Sequence, residues 1–156
     1  MKKILLILPL ILTLVVMAQP MGKMDLINQA KKEVGEMTPK KLKKLLDEAE
    51  DVIVLDVRER EQRSEGSIPS DDITEENFFS ITRGNLEWEV TKLIKDKDAV
   101  IVTYCRRGGR GALASKVLRE MGYKNATTLE GGLKGWANAG YPIKTGLGTT
   151  VLRKEK

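Results

Sequence analysis

The chain contains no histidine and a single cysteine, Cys105, among its 156 residues. Those two scarcities close off several chemistries. A Cys–His nucleophile pair, a histidine-ligated metal site and a dithiol redox pair each need residues that are not there. An internal disulfide is excluded by the same count, and no metal and no cofactor are expected. Aromatics are few, at two Trp, three Tyr and two Phe, and no basic stripe interleaves with them. Nucleic acid is therefore not expected as a partner. The net charge of +5 is scattered, and KKEVGEMTPKKLKKLLDEAED mixes both signs as a solvated surface does. No internal repeat, low-complexity tract or interdomain linker is visible, and the length fits one domain with an N-terminal extension.

The long apolar run sits at the N-terminus, in MKKILLILPLILTLVVMAQP. Lys2 and Lys3 precede it, it extends from Ile4 to Met17 with Pro9 and Thr13 inside, and Val16 and Ala18 occupy the small-residue positions of a cleavage site. This is the order of a secretory signal. The run falls short of the roughly 20 apolar residues that a spanning helix needs. Cleavage after Ala18 is expected, leaving an exported, periplasmic protein with no stable membrane insertion. An uncleaved N-terminal anchor facing the periplasm is the alternative. No cysteine follows the run, so a lipid anchor on cysteine is excluded. Loss of Lys2 and Lys3 lowers the net charge from +5 to +3.

Past the signal, residues 19–35 contain MDLINQAKKEVGE, a short leading helix or a loose arm. Thr38-Pro39 opens a helix, with Thr38 as cap and Pro39 in its first turn. Leu42, Leu45, Leu46 and Ala49 follow at the spacing of one buried face. VIVLD (52–56) and AVIVTY (99–104) are continuous apolar runs, the mark of strands covered on both sides. Residues 57–97 are the least legible: EQRSEGSIPSDD is turn-rich and NFFSITRGNLEWEVTKLI turns helical in its second half. A helix is expected from Gly111 to Met121, with Ala114, Val117, Leu118 and Met121 inward and Gly122 as its stop. ATTL (126–129) reads as a third strand and GGLKGWANAG as a last short helix. YPIKT then leads to a basic tail over 146–156. Strands alternating with helices specify an α/β fold with a parallel sheet.

Cys105 falls at the carboxyl end of the 99–104 strand, where open α/β sheets bind ligands. Gly108 and Gly109 let the following loop curl and aim successive N–H groups inward. The next helix adds its positive end and its unpaired first-turn amides. Such a cradle stabilises an anion, and the nearest one is the Cys105 thiolate. A thiolate ionised by its surroundings needs no general base, which suits a chain without histidine. Arg106, Arg107 and Arg110 can hold a second, oxygen-rich anion, because guanidinium forks match sulfonate and phosphate oxygens. A lone cysteine at a strand end is otherwise a small buried hydrophobe. An inert core thiol needs neither cradle nor cations. For Arg107 alone, an outward, solvated role stands beside the binding one.

Several separate pieces resemble the rhodanese family of sulfurtransferases, together covering residues 36–145. DVRER (56–60) looks like that family's Asp-Val-Arg strand end, and EGSIP (65–69) like its Gly-His-Ile-Pro turn. YCRRGGR (104–110) is similar to its active-site loop. NATTLEGGLKGWANAGYPI (125–143) follows its closing signature. The resemblance implies an open sheet of about five mostly parallel strands flanked by helices on both faces. It implies that Cys105 accepts sulfane sulfur as a persulfide cradled by the amides of residues 106–110. Arg110 would close the loop, and Arg106 would bind the donor. Asp56 and Arg58 would either brace the pocket or form a structural ion pair. Trp136 and Gly131-Gly132 would pack and turn the chain. The six residues from Cys105 to Arg110 match the sulfurtransferase loop, whereas related phosphatases and arsenate reductases carry one more. Ser67 replaces the family's usual histidine, and Ser70-Asp71-Asp72 its small-residue turn.

The expected activity is transfer of sulfur from thiosulfate or a similar donor, through Cys105, to cyanide or a thiol. A protein sulfur donor or acceptor is also compatible. The rival class is a non-catalytic persulfide carrier or partner-docking module; phosphatase or arsenate reductase activity ranks below both.

Overall fold

Hydrophobic continuity decides which segments become central. Val52, Val54 and Leu55, with Ile101 and Val102, are all buried, because the two strands that carry them are covered on both faces. The computed structural model describes residues 20–69 and 75–152. The expected signal segment 1–18, the Ser70-Asp71-Asp72 turn and the last residues of the basic tail lie outside them.

The elements in chain order are α1 (Lys23–Val34), β1 (Glu36–Met37), α2 (Pro39–Asp47), β2 (Val52–Asp56), β3 (Phe78–Ser80), α3 (Leu86–Leu93), β4 (Val100–Tyr104), α4 (Gly109–Glu120), β5 (Asn125–Leu129), α5 (Gly132–Asn138), β6 (Ile143–Thr145) and β7 (Gly148–Thr150). Strands β1 to β5 form one sheet in the order β1-β5-β4-β2-β3, with every neighbouring pair parallel. Alternate strand residues feed two cores. Val52, Val54, Val102 and Leu129 pack with Leu42 of α2 and Leu133 and Trp136 of α5. Leu55, Ile101 and Ala126 pack on the other face with Leu86 and Val90 of α3 and Ala114 and Leu118 of α4. The five-stranded parallel sheet with helices on both faces agrees with the sequence reading.

The leading segment is a packed helix rather than an arm. Ala30 and Val34 are buried, and Arg119 Nη2 of α4 donates to the Val34 carbonyl. The Thr38 cap forms as expected, its Oγ1 accepting from the Lys41 amide at 3.2 Å. Helix α2 ends at Asp47, however, and Ala49 is exposed with φ +51°. Ala49 is therefore not part of the buried face: the chain must leave the helix there to enter β2. Helix α4 begins at Gly109, two residues before the expected start. Two short strands escaped the periodicity argument, β1 with two residues and β3 with three. The start of the expected basic tail is ordered as well, because β6 pairs antiparallel with β7.

Candidate active site

The register of β2 against β4 sets the site. Asp56 pairs with Tyr104, and the Val57 amide donates to the Tyr104 carbonyl at 2.9 Å. The chain leaving β2 therefore runs beside the chain leaving β4, and residues 57–66 flank the loop 105–110.

Cys105 directly follows β4 and packs against the core face shared by α3 and α4, and only 3% of it is exposed. Together with Arg106, Arg107, Gly109 and Arg110 it lines a depression of about 250 Å³. Gly108 caps α4 in the left-handed region at φ +90°, and its carbonyl accepts from the Ala112 amide at 2.9 Å. That turn closes the loop on itself and presents the first turn of α4, whose amides lack helical partners, toward the depression.

Backbone contacts hold the loop in place. The Leu133 amide donates to the Cys105 carbonyl at 2.8 Å, and the Lys134 amide to the Arg106 carbonyl at 3.0 Å. A Cβ on Gly132 would stand 2.3 Å from the Cys105 carbonyl oxygen and 2.7 Å from the Gly108 nitrogen, so glycine is required for the approach. Below the loop, the Thr103 hydroxyl donates to the Gly111 carbonyl at 2.8 Å and lies 2.9 Å from the Ser115 hydroxyl.

The three arginines differ in their partners. Arg106 Nε pairs with Glu65 at 3.0 Å. Arg110 donates to the Gln62 side chain and lies 3.9 Å from Glu59. Arg107 is exposed and has no side-chain partner among the described residues. Sequence reasoning missed Glu59, Gln62 and Glu65. They are spaced by three along a 3₁₀ turn, Arg60–Glu65 with Glu59 as its cap. Three residues per turn stacks positions i and i+3 on one edge, so all three acceptors form a ridge facing the loop. The signal was the E-x-x-Q-x-x-E spacing; it was masked by the turn-rich composition around it.

Asp56 and Arg58 do not line the depression. They form a buried ion pair, with Arg58 Nη2 to Asp56 Oδ2 at 2.6 Å and Nε to Oδ1 at 2.9 Å. Nη1 also donates to the Gln62 carbonyl at 3.0 Å, and Nη2 to the Gly66 carbonyl at 2.7 Å. Burial works against the Arg58 charge, and the Asp56 carboxylate more than offsets it, raising its pKa. The pair thus tethers the acceptor ridge at its middle and just beyond its far end. Arg58 also lies 5.4 Å from the Tyr104 ring centre, and burial, reinforced by Asp56, pushes the Tyr104 phenol up. Trp136 packs in the core with its indole N–H donating to the Pro142 carbonyl at 2.7 Å, away from the depression. Among the described residues, no group of three or more Cys, Asp or Glu side chains is placed to hold a metal ion.

This arrangement sets a single thiol beside three arginines in one depression. Residues 38–139 match the family described as rhodanese-like domain. Over 110 residues the chain is 31% identical to a sulfurtransferase of Allochromatium vinosum, covering 70% of this chain and 94% of that one. It is similar to the polysulfide-sulfur transferase homodimer of Wolinella succinogenes at 32% identity and TM-score 0.63, over 75% of this chain and 82% of that one. A Rhodopseudomonas palustris protein of unknown function, described as a possible tyrosine phosphatase, is alike at 32% identity and TM-score 0.68, over 81% and 98% of the two chains. Since the family match takes in β2 to β5, the acceptor ridge and the Cys105 loop, the chain belongs to the family of rhodanese-like domains.

Proposed function

We propose that this protein is a thiosulfate-type sulfurtransferase that carries sulfane sulfur on Cys105. The observation that carries the reading is the depression itself: one sulfur atom among three guanidinium groups at a glycine-capped helix start. In the first step the Cys105 thiolate attacks the outer sulfur of thiosulfate. A new S–S bond forms, the donor S–S bond breaks, and its electron pair leaves with sulfite. Amides of residues 106–110 hold the sulfur anion, and Arg107, whose guanidinium has no side-chain partner among the described residues, receives the sulfonate oxygens. In the second step cyanide or a thiolate attacks the terminal sulfur of the persulfide, and the electron pair of that S–S bond returns to Cys105. With one cysteine in the chain, release proceeds only through an external acceptor.

The test is intact-mass measurement after mixing with thiosulfate. A gain of one sulfur atom that is lost on adding cyanide is expected. No gain, or a gain that persists in Cys105→Ser, would overturn the proposal. Multiple turnovers separate an enzyme from a stoichiometric carrier. The six-residue loop favours sulfur transfer over phosphate ester hydrolysis, and hydrolysis of an aryl phosphate dependent on Cys105 would reverse that preference. We further propose that the protein works outside the cytoplasm after cleavage behind Ala18. Exported material should begin at Gln19, and a start at Met1 would mean an anchored form.

A further inference from the structure

A second cavity of about 250 Å³ adjoins the Cys105 depression and is lined by Leu133, Ala137, Ile143 and Leu152, with Glu65, Arg106 and Lys134 beside them. Arg106 lines both cavities, so they share a wall. Leu133 and Lys134 are the two residues whose amides hold the Cys105 and Arg106 carbonyls. The second cavity is thus fastened to the reacting loop by backbone hydrogen bonds.

The two cavities differ in chemistry. The first offers guanidinium groups and amides, which suit the oxygens of thiosulfate. The second offers four apolar side chains, which a sulfonate cannot use. Its charged groups are Arg106 and Glu65, already paired at 3.0 Å, and Lys134, whose ammonium has no partner among the described residues. Two cations and one carboxylate leave a single net positive charge. We infer that this groove binds the acceptor: a small organic thiol with an aliphatic stem ending in a carboxylate, the stem on Leu133, Ala137, Ile143 and Leu152 and the carboxylate on Lys134. The cavity lies just below the size of pockets that enclose drug-sized ligands, which fits a short chain. The thiolate end attacks the terminal sulfur of the Cys105 persulfide, breaking its S–S bond; Cys105 leaves as thiolate and the acceptor departs as a persulfide. This inference rests on the sulfur-transfer reading.

Two measurements test it. In the first, Cys105 is loaded with thiosulfate, excess donor is removed, and discharge by 3-mercaptopropionate is compared with discharge by 6-mercaptohexanoate. Full burial gains about fourfold per methylene, so three more methylenes in a half-open groove should raise the second-order rate constant by about tenfold. Leu152→Ser should flatten that difference, and Lys134→Glu should lower the ratio of 6-mercaptohexanoate to cyanide discharge. Equal rates for the two thiols in the unaltered protein overturn the inference. In the second, hexanoate, which has no thiol, is titrated into unloaded ¹⁵N-labelled protein. Amide shifts at Leu133, Lys134, Ala137 and Leu152 support the groove; their absence overturns it. Failure of Cys105 to load would instead remove the sulfur-transfer reading, while the hexanoate titration still decides whether the groove binds an aliphatic carboxylate.

Discussion

Gly132 lies against the backbone of Cys105, and a Cβ there would stand 2.3 Å from the Cys105 carbonyl oxygen. Its φ of +60° adds a second reason for glycine. Gly132→Ala should therefore be destabilised by about 2–4 kcal/mol, combining overpacking with backbone strain. Urea denaturation measures this, and thiosulfate loading of the folded fraction should fall as well. A variant as stable as the parent would show that the loop retreats without cost.

Removing one partner of the buried Asp56–Arg58 pair leaves the other charge stranded. Arg58→Met should cost about 3–5 kcal/mol. The double variant Asp56→Leu/Arg58→Met should recover part of that loss, since no unpaired charge then remains. Donor binding should stay weakened in the double variant, because the Gln62 and Gly66 carbonyls lose their tether. Recovery of the donor KM together with stability would confine the pair to a purely structural role.

Arg107 and Glu65 should act on the donor in opposite directions. Arg107→Ala removes a guanidinium with no side-chain partner among the described residues and should raise the thiosulfate KM by about tenfold, roughly one charge-assisted hydrogen bond. Its melting temperature should not move, since an exposed side chain is being trimmed. Glu65→Gln releases Arg106 and should lower the same KM by about two- to fivefold, in keeping with the small worth of an exposed pair. Both effects should shrink as salt is added. An unchanged KM in Arg107→Ala would return that residue to the solvated role.

Tyr104 carries a pH signature. Its folded phenol is raised above the ordinary value of 10.0 by burial and by Asp56. The sign follows from linkage: below pH 10 the phenol is neutral in both states, and above it only the unfolded chain gives up the proton readily. Stability should decline as pH rises past about 10, where an unfolded tyrosine titrates. The decline should be shallower in Tyr104→Phe. Equal slopes from pH 9 to 11 would exclude the coupling.

The legible parts of this protein are those whose cause is local. VIVLD and the AVIVTY run became central strands because a continuous apolar run is stable only when both sides are covered. Thr38-Pro39 marked a helix start through capping chemistry that acts within four residues. The Cys105 loop was readable because its thiol, glycines and arginines are contiguous. The strands β1 and β3 were not, since two or three residues carry no period and gain their place only by pairing with β5 and β2. Ala49 matched a helical face by spacing, yet the turn into β2 removed it from the helix.

By itself the sequence determined the α/β class, the lone cysteine, the arginines that follow it and the exclusion of internal disulfide and histidine chemistry, because composition and near-neighbour spacing are properties of the linear chain. Tertiary structure alone decided which arginine of the loop has no side-chain partner among the described residues, that Glu59, Gln62 and Glu65 face the loop, and that Gly132 and Lys134 lie against its backbone. Those relations join residues tens of positions apart. They exist only once the β2–β4 register has brought two strand ends side by side.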